Sequence, residues 1–118
     1  MLSKTVTIGD REVTFKSSAA IPRMYRIKFG RDIFKDLTKL EKSYKDKGEG
    51  EKKELEIDDL EIFENVAYIM ALHADPMVPK TIEEWLDQFE MFSIYEILPE
   101  ILELWGSNLF TDVKARKN

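Results

Sequence analysis

Alternating apolar and polar positions open the chain, and segments with helical spacing fill most of the rest. Residues 4–8 and 11–15 alternate and are rich in β-branched side chains, and the Gly9-Asp10 pair between them is a two-residue turn signal. This pattern predicts a β-hairpin. A lone hairpin is only marginally stable in water, so we expect one of its faces to pack on helices. The apolar residues of that face are Val6, Ile8, Val13 and Phe15.

Five helices are predicted after the hairpin. The third is apolar almost all round, which predicts a central helix covered on several sides. Together the elements predict a mainly helical α+β domain, with an N-terminal β-hairpin packed on a bundle of about five helices. In the second helix, Ile33, Phe34, Leu37, Leu40 and Tyr44 are expected to face inward. The predicted helices are Ser17 or Ser18 to Phe29, Ile33 to Tyr44, Asp58 to Ala74, a short helix capped by Thr81, and a helix that begins at Ser93.

The last of these helices has the widest apolar face. Ser93 and Glu96 have the spacing of a capping box, and Gly106 is a helix stop signal. Pro99 predicts either a kink or a second helix that starts there. The face is wider than a single packing seam needs, so the question is what covers it. It is formed by Ile94, Tyr95, Ile97, Leu98, Ile101, Leu102, Trp105 and Leu109.

The 118 residues are expected to form a single domain, residues 1–118. Within it, residues 45–56 are dense in charge and are predicted to be a mobile loop, and residues 111–118 a frayed basic tail. The chain has no cysteine. It also has no apolar run near the ~20 residues that a membrane span needs. We therefore expect a cytoplasmic protein.

The net charge of −5 hides an uneven distribution. Residues 1–47 carry twelve Lys or Arg and six Asp or Glu, a balance of +6, and residues 48–118 have a balance of −11. Such asymmetry can steer a partner, or join copies head to tail into a homo-oligomer that weakens with salt. The alternative is that the basic and acidic faces touch inside one fold.

Candidate catalytic groups are few. His73 is the only histidine and no cysteine accompanies it, so it is either a general base or a partly buried helix residue. Asp58 and Asp59 are explained by a helix start, and no Gly-rich phosphate loop follows a strand. We expect no enzyme activity, no metal and no cofactor. A small enzyme or inhibitor that acts through His73 or the acidic face is the least favoured interpretation.

Two kinds of binding remain. A basic surface on the first two helices would suit a nucleic-acid-binding prophage regulator, although the acidic remainder of the chain would repel phosphate. Its residues are Arg23, Arg26, Lys28, Arg31, Lys35 and Lys39. The second half is instead rich in methionine and aromatic residues, which favours a role in binding or assembly. These residues are Met70, Met77, Met91, Trp85, Phe89, Phe92 and Trp105, with Met24 from the first half.

The order of these elements resembles a known family. The opening TVTIGDREVTFKSS, a first helix that ends at Phe29-Gly30, a charged insert and a helix that ends in His73-Ala74-Asp75-Pro76 come first. The segment TIEEWLDQFEMFSIYEILPEILELWGSNL and a basic end follow. The chain thus resembles the tail assembly chaperones of long-tailed phages and prophages of Gram-positive bacteria, over nearly its whole length.

The resemblance implies a binding function without catalysis. Such proteins bind the tape-measure protein, keep it soluble and help recruit tail-tube subunits, and they are absent from the mature virion. It implies that the protein works in the cytoplasm of the bacterial host, with the tape-measure protein and the tail-tube protein as partners and with no membrane. We expect the client or self-association surface to include Leu98, Ile101, Leu102, Trp105 and Leu109, because that apolar face is the widest.

Overall fold

The computed structural model describes residues 2–47, 57–91 and 93–104. Residues 48–56 of the predicted loop and all of the predicted tail lie outside these ranges, as do Trp105 and Leu109. The predicted fold class is confirmed, because a two-stranded antiparallel hairpin packs on a set of helices around one hydrophobic core. None of the helices in the described ranges is both long enough and apolar enough to cross a membrane.

Strands β1 (Leu2–Ile8) and β2 (Arg11–Ser17) form the predicted hairpin, and each is two residues longer than predicted. Val6 lies opposite Val13, and Ile8 opposite Arg11. Gly9 has a φ of 64°, whereas no other residue type in the described ranges has a positive φ. This combination fits a type II′ turn, whose first central position favours glycine. The turn thereby aligns the apolar residues of both strands on one face, where Ile8 and Phe15 are buried.

Helix α1 (Ile21–Phe29) begins later than predicted, because Ser17 continues β2. Ala20 is its N-cap and provides no side-chain cap. Ser18 Oγ instead accepts a hydrogen bond from the Ala20 N–H at 3.2 Å. Gly30 ends the helix as predicted, with a φ of 67° and its N–H bonded to the Arg26 carbonyl.

Helix α2 (Ile33–Lys47) buries a face that differs in part from the predicted one. Ile33, Leu37 and Leu40 are buried as expected, but the Phe34 side chain is 50% exposed and Asp36 is buried instead. The prediction for Phe34 was wrong because Asp36 finds two hydrogen-bonding partners at its inward position. Tyr25 donates to Asp36 Oδ2 at 2.7 Å, and Arg31 donates to both carboxylate oxygens. A buried carboxylate with a bidentate arginine and a hydroxyl donor is fully satisfied, so it can take an inward position. The helix also includes residues 45–47, which were predicted to be part of the loop.

Helix α3 (Ile57–Ala74) is the central helix that its composition predicts. It contacts β2, α1, α2 and the short α4 (Ile82–Leu86). Its residues from Val66 to Ala71 are all buried, which a helix with a single apolar stripe would not allow. The predicted cap of α4 is confirmed, since Thr81 Oγ1 accepts from the Glu84 N–H at 3.2 Å.

The C-terminal part of the described chain is a 3₁₀ turn, Ser93–Ile97, followed by a helix over residues 98–104 that we call α5. Pro99 therefore lies in the first turn of a new helix, which is one of the two predicted outcomes. The capping box does not close as predicted. The Ser93 N–H donates to the Glu90 carbonyl at 3.1 Å, so it is not available to Glu96.

Candidate functional site

The predicted partner face lies largely in the core. Leu98, Ile101 and Leu102 are between 1% and 7% exposed, and Leu104 beyond them is buried as well. Trp105 and Leu109 lie outside the described residues, so their part of the prediction stays a prediction. Leu98, Ile101 and Leu102 are covered by this chain itself and do not form a surface that a partner can reach.

The hairpin and α3 explain this burial. The 3₁₀ turn contacts β1, and Lys4 on β1 forms ion pairs with Glu100 at 2.5 Å and Glu103 at 2.6 Å on α5. On the other side, Tyr95 donates to Glu64 Oε2 of α3 at 2.5 Å, and its ring packs on Phe63. The C-terminal segment is therefore tied to a strand and to the central helix, and its buried apolar residues belong to the same core cluster as residues of the hairpin and of α3.

Ion pairs also join the two differently charged parts of the sequence. Lys4 reaches the acidic α5, and Lys39 of α2 pairs with the buried Asp59 of α3 at 2.8 Å. These contacts support the interpretation in which the basic and acidic faces touch inside one fold. The predicted head-to-tail assembly stays a prediction.

Large apolar side chains are exposed elsewhere. Met77 is 86% exposed and Met91 is 77% exposed, and both lie in loops that flank α4. Met77 is held by its own turn, since its N–H donates to Asp75 Oδ1 at 3.0 Å. On α1, Ile27 also points to solvent. The sequence contained a signal for the methionines, because both lie outside any apolar helical stripe and next to a helix end.

A cavity of about 500 Å³ opens beside Met77. One wall is the strand segment Arg11–Thr14 of β2, and the opposite wall is the loop after α3. Trp85 and Gln88 of the α4 region complete the lining, and Arg11 Nε donates to the Gln88 carbonyl at 3.2 Å. The other lining residues are Ala74, Asp75, Val78 and Pro79.

A second cavity of about 620 Å³ lies beside the Tyr25–Asp36–Arg31 network, with Arg31, Asp58, Glu61 and Asn65 among its lining residues. Burial raises the pKa of Tyr25, and its bond to Asp36 raises it further. For Asp36, burial opposes ionisation, but the bonds from Arg31 and Tyr25 outweigh it and hold the pKa of this carboxyl below its usual value. The network therefore stays ionised and paired at neutral pH, which suits a structural role.

His73 has a structural partner. Its Nε2 lies 2.9 Å from Ser18 Oγ, and this contact joins the end of α3 to the loop before α1. Burial lowers the pKa of His73, and the charge of Lys16 lowers it further. In a catalytic triad a carboxylate accepts a hydrogen bond from the histidine, and none of the described carboxylates accepts one from His73. Within the described ranges no cluster of residues suits a metal ion.

The basic candidates divide into two groups. Arg31 and Lys39 are occupied by Asp36 and Asp59. The other four, Arg23, Arg26, Lys28 and Lys35, are exposed and form none of the ion pairs in the described part of the chain. Lys28 Nζ lies 5.6 Å from the centre of the Tyr68 ring, a cation–π distance. The basic surface available to a nucleic acid is thus smaller than the sequence predicts.

Comparison with protein-family models, with curated proteins and with solved structures finds no match to this chain.

Proposed function

We propose that this protein is a tail assembly chaperone of a long-tailed phage or prophage of Gram-positive bacteria. It binds the tape-measure protein, keeps it soluble and helps recruit tail-tube subunits, and it does so without catalysis. The order of sequence elements described above supports this proposal. The protein acts in the cytoplasm of the bacterial host and is absent from the mature virion.

The observation that carries the binding role is the pair of exposed methionines around α4, Met77 and Met91. Methionine is flexible and polarizable, so it adapts to apolar surfaces of varied shape. A tape-measure protein presents apolar helical surface before the tube encloses it. We assign the first contact with this client to the Met77 and Met91 loops, because Leu98, Ile101 and Leu102 are buried.

The mechanism is equilibrium binding. Apolar side chains of the chaperone mask apolar side chains of the client, and the growing tube then displaces the chaperone because it buries more of the same surface. Nothing in this sequence of steps needs a nucleotide or a reactive group.

The test is co-expression with the tape-measure protein, followed by measurement of the soluble and co-purifying fractions of that client. Met77→Glu combined with Met91→Glu should lower co-purification at least about tenfold, since each buried methionine contributes on the order of 1.5–3 kcal/mol. Ala19→Glu combined with Thr38→Glu is the matched control, because it adds the same charges at exposed positions outside the α4 loops.

Equal co-purification of the methionine variant and the control would refute the assignment to the α4 loops. A client that stays insoluble with the wild-type protein would refute the chaperone function itself. A gel shift with DNA that disappears at high salt and in Arg23→Glu with Arg26→Glu would favour the prophage-regulator alternative.

A further inference from the structure

The sheet of this protein has an open edge on β2. In the described ranges the sheet contains only β1 and β2, so each strand pairs on one side alone. A two-residue turn makes the flanking pair Ile8 and Arg11 the first hydrogen-bonded pair, and the pattern then alternates along the antiparallel ladder. The main-chain groups of Glu12, Thr14 and Lys16 therefore point away from β1. No backbone hydrogen bond from the described parts of the chain reaches them.

The two edges of the hairpin differ in what surrounds them. Strand β1 contacts the 3₁₀ turn Ser93–Ile97 and is tied to α5 by Lys4. Beside β2, the 500 Å³ cavity is lined by four consecutive residues, Arg11–Thr14. Because neighbouring side chains of a strand point to opposite faces, a cavity lined by consecutive residues runs along the strand edge. The cavity therefore leaves space next to β2, bounded on its far side by the loop after α3.

The charges along β2 are self-complementary. Its outer face carries Glu12, Thr14 and Lys16, with the threonine midway between opposite charges. None of the ion pairs in the described part of the chain involves Glu12 or Lys16. If two copies of this strand run antiparallel with Thr14 opposite Thr14, each Glu12 lies opposite a Lys16. All seven residues of the strand then pair, whereas a register with Glu12 opposite Glu12 places like charges together.

We propose that β2 is a self-association edge. Two copies of the chain pair their β2 strands antiparallel about a two-fold axis at Thr14, and the two hairpins form a four-stranded sheet. The outward main-chain groups of Glu12, Thr14 and Lys16 make hydrogen bonds with the same groups of the second copy. Residues 14–17 of the second copy run along the 500 Å³ cavity, and two Glu12–Lys16 pairs set the register. This interface does not rest on the chaperone proposal, although the cavity that it uses is also lined by Met77.

Charge reversal tests the register. Glu12→Lys and Lys16→Glu each replace two attractive pairs by two repulsive ones, so each should weaken the dimer by about 10- to 30-fold in sedimentation measurements over a concentration series. The double variant Glu12→Lys with Lys16→Glu recreates the pairs with their signs exchanged and should restore wild-type association. Such a rescue requires that Glu12 of one copy lies next to Lys16 of the other, which is where antiparallel pairing about Thr14 places them.

Two proline variants test the edge. Thr5 and Thr14 lie opposite each other, and their hydroxyls share one hydrogen bond of 2.8 Å. Proline at either position removes this hydroxyl hydrogen bond and one outward main-chain N–H. Thr5→Pro removes the N–H from the β1 edge, and Thr14→Pro removes it from the β2 edge. Thr14→Pro should abolish the dimer, and Thr5→Pro, as the matched control, should retain it.

A wild-type chain that stays monomeric throughout the concentration series would overturn the proposal. It would also be overturned if the double charge variant failed to regain the dimer lost in the single variants. Equal effects of the two proline variants would assign the contact to another surface, and circular dichroism would establish that both variants remain folded.

Discussion

Two regions of this protein are apolar on more than one side, and the sequence predicts burial in the core for one and partial exposure to a partner for the other. Helix α3 was predicted to be the covered centre of the fold, and its Val66–Ala71 segment is buried throughout. The C-terminal segment of residues 93–104 was predicted to leave part of its apolar face for a partner, yet Leu98, Ile101 and Leu102 are buried too. A wide apolar face therefore indicates that a helix is covered on several sides. It does not indicate whether the same chain or a partner covers it.

The polar contacts of the two regions explain the common outcome. Asp59 of α3 is paired with Lys39, and the C-terminal segment is linked by Tyr95 to Glu64 and by Glu100 and Glu103 to Lys4. These polar contacts join each of the two regions to neighbouring elements. Four predictions, from the largest effect to the smallest, test whether both regions belong to one core.

Leu102→Asp should have the largest effect. A carboxylate in place of a buried leucine loses apolar burial and must be desolvated, so the free energy of unfolding should fall by more than about 3 kcal/mol. Chemical denaturation measures this loss, and Glu96→Asp provides the same side chain at an exposed position of the C-terminal segment. An unchanged denaturation midpoint for Leu102→Asp would mean that Leu102 is exposed and available to a partner.

Ile69→Ala and Ile101→Ala compare the two regions directly, since both side chains are 1% exposed. Each substitution leaves a cavity in a packed core and should lower the free energy of unfolding by about 2–4 kcal/mol. Both losses should fall in this range when measured by the same denaturant titration. A much smaller loss at Ile101 would show that residues 98–104 are peripheral to the core.

Tyr95→Phe should have a smaller effect, about 1–2 kcal/mol, because it removes the one hydrogen bond to Glu64 and keeps the ring on Phe63. Burial and the neighbouring Glu64 raise the pKa of Tyr95 to about 12. Because the pKa of Tyr95 is raised in the folded protein, its hydrogen bond contributes fully to stability below the unfolded pKa of 10.0. This contribution is lost as the pH rises through about 12. The wild type should therefore lose more stability than Tyr95→Phe over this range, and parallel curves would contradict the contact.

Lys4→Ala should have the smallest effect. Its ion pairs with Glu100 and Glu103 are partly exposed and screened, so the loss should stay below about 1 kcal/mol and shrink as salt is added. Thermal unfolding at low and high salt measures it, with Lys80→Ala as a control at an exposed lysine. A large, salt-independent loss would mean that β1 itself has moved.

Much of the fold could be predicted from the sequence because its signals are local. Alternation around Gly9-Asp10 predicted the hairpin, Gly30 predicted the end of α1, and Thr81 with Glu84 predicted the start of α4. Each signal depends on backbone conformation or on a hydrogen bond between close neighbours in sequence. The candidate site depended instead on which apolar side chains remain exposed. Met77 and Met91 are exposed, whereas Leu98, Ile101 and Leu102, which were predicted to face a partner, are buried.

The sequence by itself determined the hairpin, its turn and the central position of α3, since a helix that is apolar on nearly all sides is stable only when it is covered. Tertiary structure alone decided two other matters. It set the inward face of α2 so that Asp36 points inward and Phe34 outward, because Tyr25 of α1 and Arg31 of the loop before α2 satisfy the carboxylate. It also placed the apolar face of residues 98–102 inside the core cluster that includes residues of the hairpin and of α3. Contacts between residues far apart in sequence leave no periodic signal.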